Sequence, residues 1–105
     1  PTFDSDGYPT DESLQAIEQW PGEDMRGLFE FVGEAWNCDY GRWEVGGLHG
    51  ETIKAITGGW SGNESLISAL VDNRQFAWML CWQESRCGGD HLFEIPAYQK
   101  EANDG

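Results

Sequence analysis

The chain has 105 residues, a length that suits one domain. Apolar residues make up 39% of it and include six tryptophans, so a hydrophobic core can form and a disordered acidic tail is excluded. Nineteen acidic residues against six basic ones give a formal net charge of −13, which excludes direct nucleic-acid binding and favours either a basic partner surface or simple solubility.

The first predicted helix follows residues 1–9, which are expected to form an extended lead-in. Thr10 is a typical N-cap, and Asp11 and Glu12 in the next turn favour the positive end of a helix dipole. Pro21 ends the helix, because its ring cannot continue the backbone hydrogen bonding. The apolar face of this helix repeats every three residues: Leu14, Ile17 and Trp20.

The second predicted helix has the clearest helical period in the sequence. Glu23 and Asp24 precede it and favour its N-terminus. Glu30 and Glu34 lie one turn apart, roughly 6 Å, and away from much of the apolar stripe. The stripe follows the spacing of one helix face: Met25, Leu28, Phe29, Val32, Ala35 and Trp36.

Two short strands around a glycine-rich connection are predicted within residues 40–57, where the helical period gives way to a strand-like pattern. A third helix follows and ends near Asn73. Ser61 and Glu64 fit a capping box at its start, in which each side chain binds the other residue's backbone amide. Its apolar face comprises Leu66, Ile67, Leu70 and Val71.

Trp60 lies in the segment TGGWSGNESLI, residues 57–67, just before this helix. Gly58 and Gly59 permit the positive φ that a strand-to-helix turn needs. The segment lacks the lysine and the G-x-x-x-x-G-K spacing of a phosphate-binding loop, which disfavours an anion site. Two alternatives stay open for Trp60: its indole packs on the core, or it is exposed as an anchor for a partner.

The last part of the chain is predicted to form a hairpin. Residues 74–85, RQFAWMLCWQES, alternate large and smaller side chains, which predicts a buried strand with a central position in the sheet. RCGGDH forms the turn, HLFEIP returns as a strand that Pro96 ends, and residues 97–105 form a polar tail. The large side chains are Phe76, Trp78, Leu80 and Trp82.

The predicted element order is therefore α-α-β-β-α-β-β, within one domain spanning residues 1–105. Two hairpins and the intervening helix predict an antiparallel sheet of about four strands with the helices on one face, an α+β fold. The order of the strands in the sheet does not follow from these patterns.

Three cysteines cannot all pair within one chain, which favours a reducing compartment and a cytoplasmic location. No apolar run reaches the roughly 20 residues of a membrane-spanning helix. Cys87 and His91 have the spacing C-x3-H, but structural zinc sites show two short paired spacings. The same pair, or Cys38 with His49, is formally compatible with a small thiol enzyme. No metal, cofactor or enzymatic activity is predicted.

Residues 1–39 contain ten acidic residues and one basic residue, Arg26. Carboxylates one helical turn apart resemble phosphates along a strand, so they can occupy a basic groove evolved for DNA or RNA. The alternatives are a solvated acidic face, or an apolar contact anchored by Trp20, Trp43 or Trp60. The candidate partner-binding residues are Glu23, Asp24, Glu30, Glu34, Asp39 and Trp60.

Three segments, FDSDGYPT, GGWSGNES and FAWMLCWQESRCGGDHLFEIP, together resemble a group of small acidic phage and prophage proteins. The resemblance implies a phage context, in which such proteins often block host defences, and it implies no catalytic residues. The prediction is a non-enzymatic protein that binds a basic surface of a host protein in the host cytoplasm. An anti-CRISPR or anti-restriction inhibitor is the specific form expected, with nucleic-acid mimicry as one mechanism.

Overall fold

The computed structural model describes residues 1–96, and the predicted polar tail, residues 97–105, lies outside the described residues. The described part contains four helices and four strands. In chain order these are α1 (Asp11–Glu18), α2 (Met25–Ala35), β1 (Arg42–Gly46), β2 (Thr52–Ile56), α3 (Ser61–Val71), α4 (Ala77–Cys81), β3 (Trp82–Arg86) and β4 (Asp90–Glu94).

The four strands form one antiparallel sheet in the order β1-β2-β4-β3, so β2 and β4 are central. Ile53 of β2 lies opposite Phe93 of β4, and both side chains are buried under the helices. On the other face of the sheet Lys54 and Glu94 are exposed. The predicted α+β class, the antiparallel sheet and the element order are confirmed, with the short helix α4 as an addition.

The first two helices begin as their capping residues predict. Thr10 Oγ1 accepts a hydrogen bond from the backbone amide of Ser13 (3.3 Å) at the start of α1. Asp24 Oδ1 accepts one from the amide of Gly27 (3.0 Å) at the start of α2. The apolar stripe of α2 is buried and supplies much of the core: Met25, Leu28, Phe29, Val32 and Ala35.

Phe93 joins the helical layer to the sheet. Its ring is fully buried and its centroid lies 5.0 Å from that of Phe29 in α2 and 5.4 Å from that of Trp78 in α4. Trp43 of β1 extends the contact, since its ring centroid lies 5.2 Å from that of Trp36, directly after α2. Aromatic packing therefore connects α2 and α4 to the central strand β4 and to the edge strand β1.

The segment before β3 is a helix, so the predicted buried strand over residues 74–85 is wrong except at residues 82–85, which belong to β3. Helix α4 occupies Ala77–Cys81, and the strand begins only at Trp82. Strand β3 is also an edge strand, with all five residues exposed. The reason is that the fully buried residues of this segment are small ones, Ala77 and Cys81, which lie one helical turn apart.

A buried asparagine, Asn73, fixes the turn between α3 and α4. Its Oδ1 accepts hydrogen bonds from the amides of Gln75 (2.9 Å) and Ala77 (3.2 Å). Its Nδ2 donates to the carbonyl oxygens of Ile17 (2.7 Å) and Trp20 (3.3 Å) at the end of α1. The side chain thus ties the start of α4 to α1.

Asn73→Ala is expected to lower the free energy of unfolding by about 2–4 kcal/mol, because four backbone groups lose a hydrogen bond to this buried side chain. Gln75→Ala is the matched control: it removes an exposed amide from the same turn, and we expect a change within about 0.5 kcal/mol. Urea denaturation measures both values. Equal stabilities for the two variants would contradict the role assigned to Asn73.

Candidate functional site

Four of the six candidate partner-binding residues are exposed carboxylates around α2. Glu23 precedes the helix, Glu30 and Glu34 lie on its exposed side, and Asp39 lies in the turn that follows it. Glu30 and Glu34 are one helical turn apart, which places them about 6 Å apart along the helix axis. The fold therefore gathers these four carboxylates around a single helix.

Asp24 has an internal role. Its carboxylate is half-buried, and besides capping α2 it accepts a hydrogen bond from Trp20 Nε1 (3.2 Å) through Oδ2. A β-carbon at Gly27 would overlap this carboxylate, so the close approach requires glycine at that position. Asp24 therefore fixes the junction between α1 and α2, the segment that contains Glu23.

Trp60 is held between two tyrosines. Its ring stacks on Tyr8 at a centroid distance of 4.8 Å and on Tyr40 at 5.7 Å. The indole is half-buried, and its six-membered ring covers Gly62 so closely that a β-carbon there would overlap it. Trp60 is thus neither a core residue nor a free anchor, since it joins the lead-in to the turn after α2 and to the start of α3.

The predicted capping box at the start of α3 is wrong. The helix begins at Ser61, Trp60 occupies the N-cap, and no side chain caps it. Ser61 Oγ instead donates a hydrogen bond to the hydroxyl of Tyr8 (3.3 Å). The reason is that the helix starts one residue earlier than predicted, so the amide of Glu64, the donor that the capping box requires, binds the carbonyl oxygen of Trp60 (3.0 Å).

A buried asparagine in the first turn of α3, Asn63, was missed by the sequence patterns. Its Oδ1 accepts from the amide of Asn37 (2.9 Å), and its Nδ2 donates to the carbonyl oxygens of Asn37 (3.1 Å) and Thr57 (3.2 Å). Asn63 therefore fixes the turn after α2 against the end of β2. Its partners lie 26 and 6 residues away, and no local pattern identifies them.

Ser85 and His91 lie side by side on neighbouring strands. Ser85 Oγ accepts a hydrogen bond from Trp82 Nε1 (2.7 Å) and lies 2.7 Å from His91 Nδ1. Burial lowers the pKa of His91, against the opposing effect of Glu64 and Asp90. The Ser85 hydroxyl donates to Nδ1 in the tautomer that carries its proton on Nε2.

The cysteines divide into two classes. Cys38 and Cys87 are exposed free thiols, whereas Cys81 is fully buried. Burial raises the pKa of the Cys81 thiol to about 12, which makes it unreactive in the folded protein. Within residues 1–96 no three His, Cys, Asp or Glu side chains are arranged to hold a metal ion.

Four large apolar side chains around α4 are exposed. We name them the α4 apolar cluster: Phe76 (66% exposed), Met79 (80%), Leu80 (42%) and Trp82 (40%). The sequence patterns missed this surface because they placed the same residues in a buried strand. The small residues at positions 77 and 81, spaced i and i+4, are the signal that favours a helix here.

Comparison with models of known families, with curated proteins and with solved structures found no match to this chain. No helix in the described part of the chain is long and apolar enough to span a membrane. The interpretation of the acidic side of α2 and of the α4 apolar cluster therefore depends on their geometry and chemistry.

Gly62→Ala is expected to lower the free energy of unfolding by about 1–2 kcal/mol, because the new methyl group displaces the ring of Trp60. Helix propensity alone predicts the opposite, a gain of about 1 kcal/mol. Ser68→Ala, at an exposed position of the same helix, is the control, with a change within about 0.5 kcal/mol. Urea denaturation followed by tryptophan fluorescence measures both, and a stabilised Gly62→Ala variant would contradict the packing described for Trp60.

Two thiols are expected to react immediately with a disulfide reagent at pH 8, and the third only on unfolding, because the raised pKa of Cys81 leaves almost no thiolate. The absorbance of the released thiol counts the reacting groups. In the Cys38→Ser/Cys87→Ser double variant the fast phase should disappear. Fast reaction of all three thiols in the folded protein would show that Cys81 is accessible.

Proposed function

We propose that this protein is a non-enzymatic inhibitor that binds a basic surface of a host protein through the acidic side of α2. The observation that carries the proposal is the placement of Glu30 and Glu34, two exposed carboxylates one turn apart on a helix whose opposite face is buried. Glu23 and Asp39 are exposed at the two ends of the same helix. A row of negative charges on a helix matches a row of Lys and Arg side chains on a partner.

The packing of α2 supports a contact that needs little reorganisation. Leu28 and Val32 are fully buried, and Phe29 packs against Phe93 of the sheet. A helix held in this way presents its outer side chains from fixed backbone positions, which lowers the entropic cost of binding. The carboxylates of Glu30 and Glu34 therefore need only side-chain ordering when they meet a partner.

The charge of the chain narrows the class of partner. A net charge of −13 repels nucleic acids and attracts proteins that present clustered Lys and Arg, such as nucleic-acid-binding complexes. The resemblance of segments such as GGWSGNES to phage and prophage proteins adds a host-defence context. The proposed partner is therefore a CRISPR or restriction complex in the host cytoplasm, with α2 acting as a mimic of a nucleic-acid strand.

A second candidate function is a protein-interaction module that depends on aromatic anchors. The α4 apolar cluster favours it, because Phe76 and Trp82 are exposed. The tryptophans first considered as anchors have internal contacts: Trp60 is held between tyrosines, and Trp20 and Trp43 pack against the core. The two candidate functions place the contact on different elements, α2 and α4.

The test uses a panel of purified CRISPR effector complexes and restriction endonucleases, with target cleavage as the readout. For an enzyme that the native protein inhibits, the Glu30→Lys/Glu34→Lys variant is expected to bind at least about tenfold more weakly, because two attractive contacts become repulsive. Raising the salt concentration should weaken binding of the native protein more than binding of this variant.

The control variant is Asp6→Lys/Glu94→Lys, which makes the same charge change at exposed positions of the lead-in and β4. Its affinity should stay close to that of the native protein apart from the general effect of net charge. Equal losses for the two double variants would reject a specific contact through α2. A panel in which the native protein inhibits no enzyme would reject the proposed function itself.

A further inference from the structure

The α4 apolar cluster groups four of the exposed large apolar side chains of the described residues in one short segment. Its four members lie within seven consecutive residues, and Phe76 and Met79 are 66% and 80% exposed. Contiguous exposed apolar side chains on a folded domain are typical of sites that contact another molecule. Aromatic residues and methionine are also enriched in the buried centres of protein interfaces.

The backbone at Phe76 is strained. Phe76 has φ 61° and ψ 39°, the left-handed conformation, which an L-residue with a large side chain adopts only at a cost in free energy. The hydrogen bonds of Asn73 to the amides of Gln75 and Ala77 hold this conformation in place. A phenylalanine is thus presented to solvent at a position where glycine would be unstrained.

The residues between the cluster and the core are closely packed. Ala77 and Cys81 are fully buried on the inner side of α4. Trp78 packs edge-on against Phe93 and stacks on Trp82 with a centroid distance of 5.9 Å. The backbone that carries the cluster is therefore held in place by packing, so binding needs to order only the exposed side chains.

The charged residues beside the turn that carries Phe76 are mostly acidic. The amide of Arg74 donates to the carbonyl oxygen of Glu18 (2.8 Å), and a β-carbon at Gly22 would lie 3.1 Å from Gln75 Cβ. The turn that carries Phe76 therefore lies against the α1–α2 junction. The charged residues at these two backbone contacts and on the adjoining turn are Glu18, Glu23, Asp72 and Arg74, three acidic and one basic. Their net negative charge favours a partner surface that carries Lys and Arg.

A second copy of the chain fits this surface poorly. Two copies with a net charge of −13 each repel one another. Pairing of the adjacent edge strand is also disfavoured, since β3 has a bulge between Trp82 and Glu84. Charged side chains on that strand, Glu84 and Arg86, form an ion pair at 3.6 Å.

We propose that the α4 apolar cluster inserts into an apolar pocket bordered by basic residues on the same protein that the acidic side of α2 contacts. This inference rests on the proposed function, because it concerns the same partner. Phe76 and Met79 are the anchors, since they are the most exposed members of the cluster. The acidic residues raise the association rate, and the apolar anchors lower the dissociation rate.

The test compares Phe76→Gly with Leu48→Gly on the enzyme of the panel that the native protein inhibits. Leu48 is 94% exposed and lies between β1 and β2, so its variant removes an exposed apolar side chain elsewhere. We expect Phe76→Gly to keep or raise the melting temperature, because glycine relieves the strain, and to weaken binding at least about tenfold. Leu48→Gly should leave binding within about twofold of the native affinity.

Salt dependence separates this contact from the one on α2. Added salt should weaken binding of Phe76→Gly by the same factor as binding of the native protein. It should weaken binding of Glu30→Lys/Glu34→Lys by a smaller factor. Met79→Ser is a second variant with the same expected loss of affinity. Native affinity in both cluster variants, together with a loss in Glu30→Lys/Glu34→Lys, would overturn the docking of the cluster and leave the proposed function intact.

Two further outcomes would also overturn the inference. Sedimentation of the purified chain should show a monomer of 11.8 kDa; a dimer that Phe76→Gly dissociates would identify a second copy as the occupant of the surface. If the native protein binds no member of the panel, the proposed function and the docking of the cluster both fail.

Discussion

The aromatic contact of Phe93 with Phe29 and Trp78 determines how the two layers of the protein meet. Phe93 lies on a central strand, and its ring is fully buried between α2 and α4. Burying one side of α2 leaves Glu30 and Glu34 on the other side, and burying one side of α4 leaves Phe76 and Met79 exposed. The acidic surface and the apolar cluster are therefore both consequences of one packing arrangement.

The elements that sequence patterns predicted correctly are those stabilised by local chemistry. The apolar stripe of α2 repeats with the helical period, and Thr10 and Asp24 cap their helices through bonds to residues three positions away. The β1–β2 hairpin has strand-like residues on both sides of a glycine-rich connection. Exposure of the α2 carboxylates follows from the same period, because residues off the apolar stripe face solvent.

The parts that sequence patterns did not predict depend on contacts between distant residues. Alternation of large and small side chains over residues 76–82 is compatible with a strand, but Asn73 binds the amide of Ala77 at the start of a helix there. The Asn73 side chain is itself held by the carbonyl of Ile17, 56 residues away. The orientation of Trp60 likewise depends on Tyr8 and Tyr40. A capping box needs Ser61 at the N-cap, but the helix has Trp60 there, whose carbonyl oxygen accepts the bond from the amide of Glu64.

The two proposed contacts would act over different distances and so on different rates. At physiological ionic strength, charges on α2 are screened beyond about 8 Å, so they act on a partner before contact and raise the association rate. Apolar side chains such as Phe76 contribute only when water is excluded, so they lower the dissociation rate. The strain at Phe76 fits this division, because residues in strained backbone conformations cluster at sites that bind or act on other molecules.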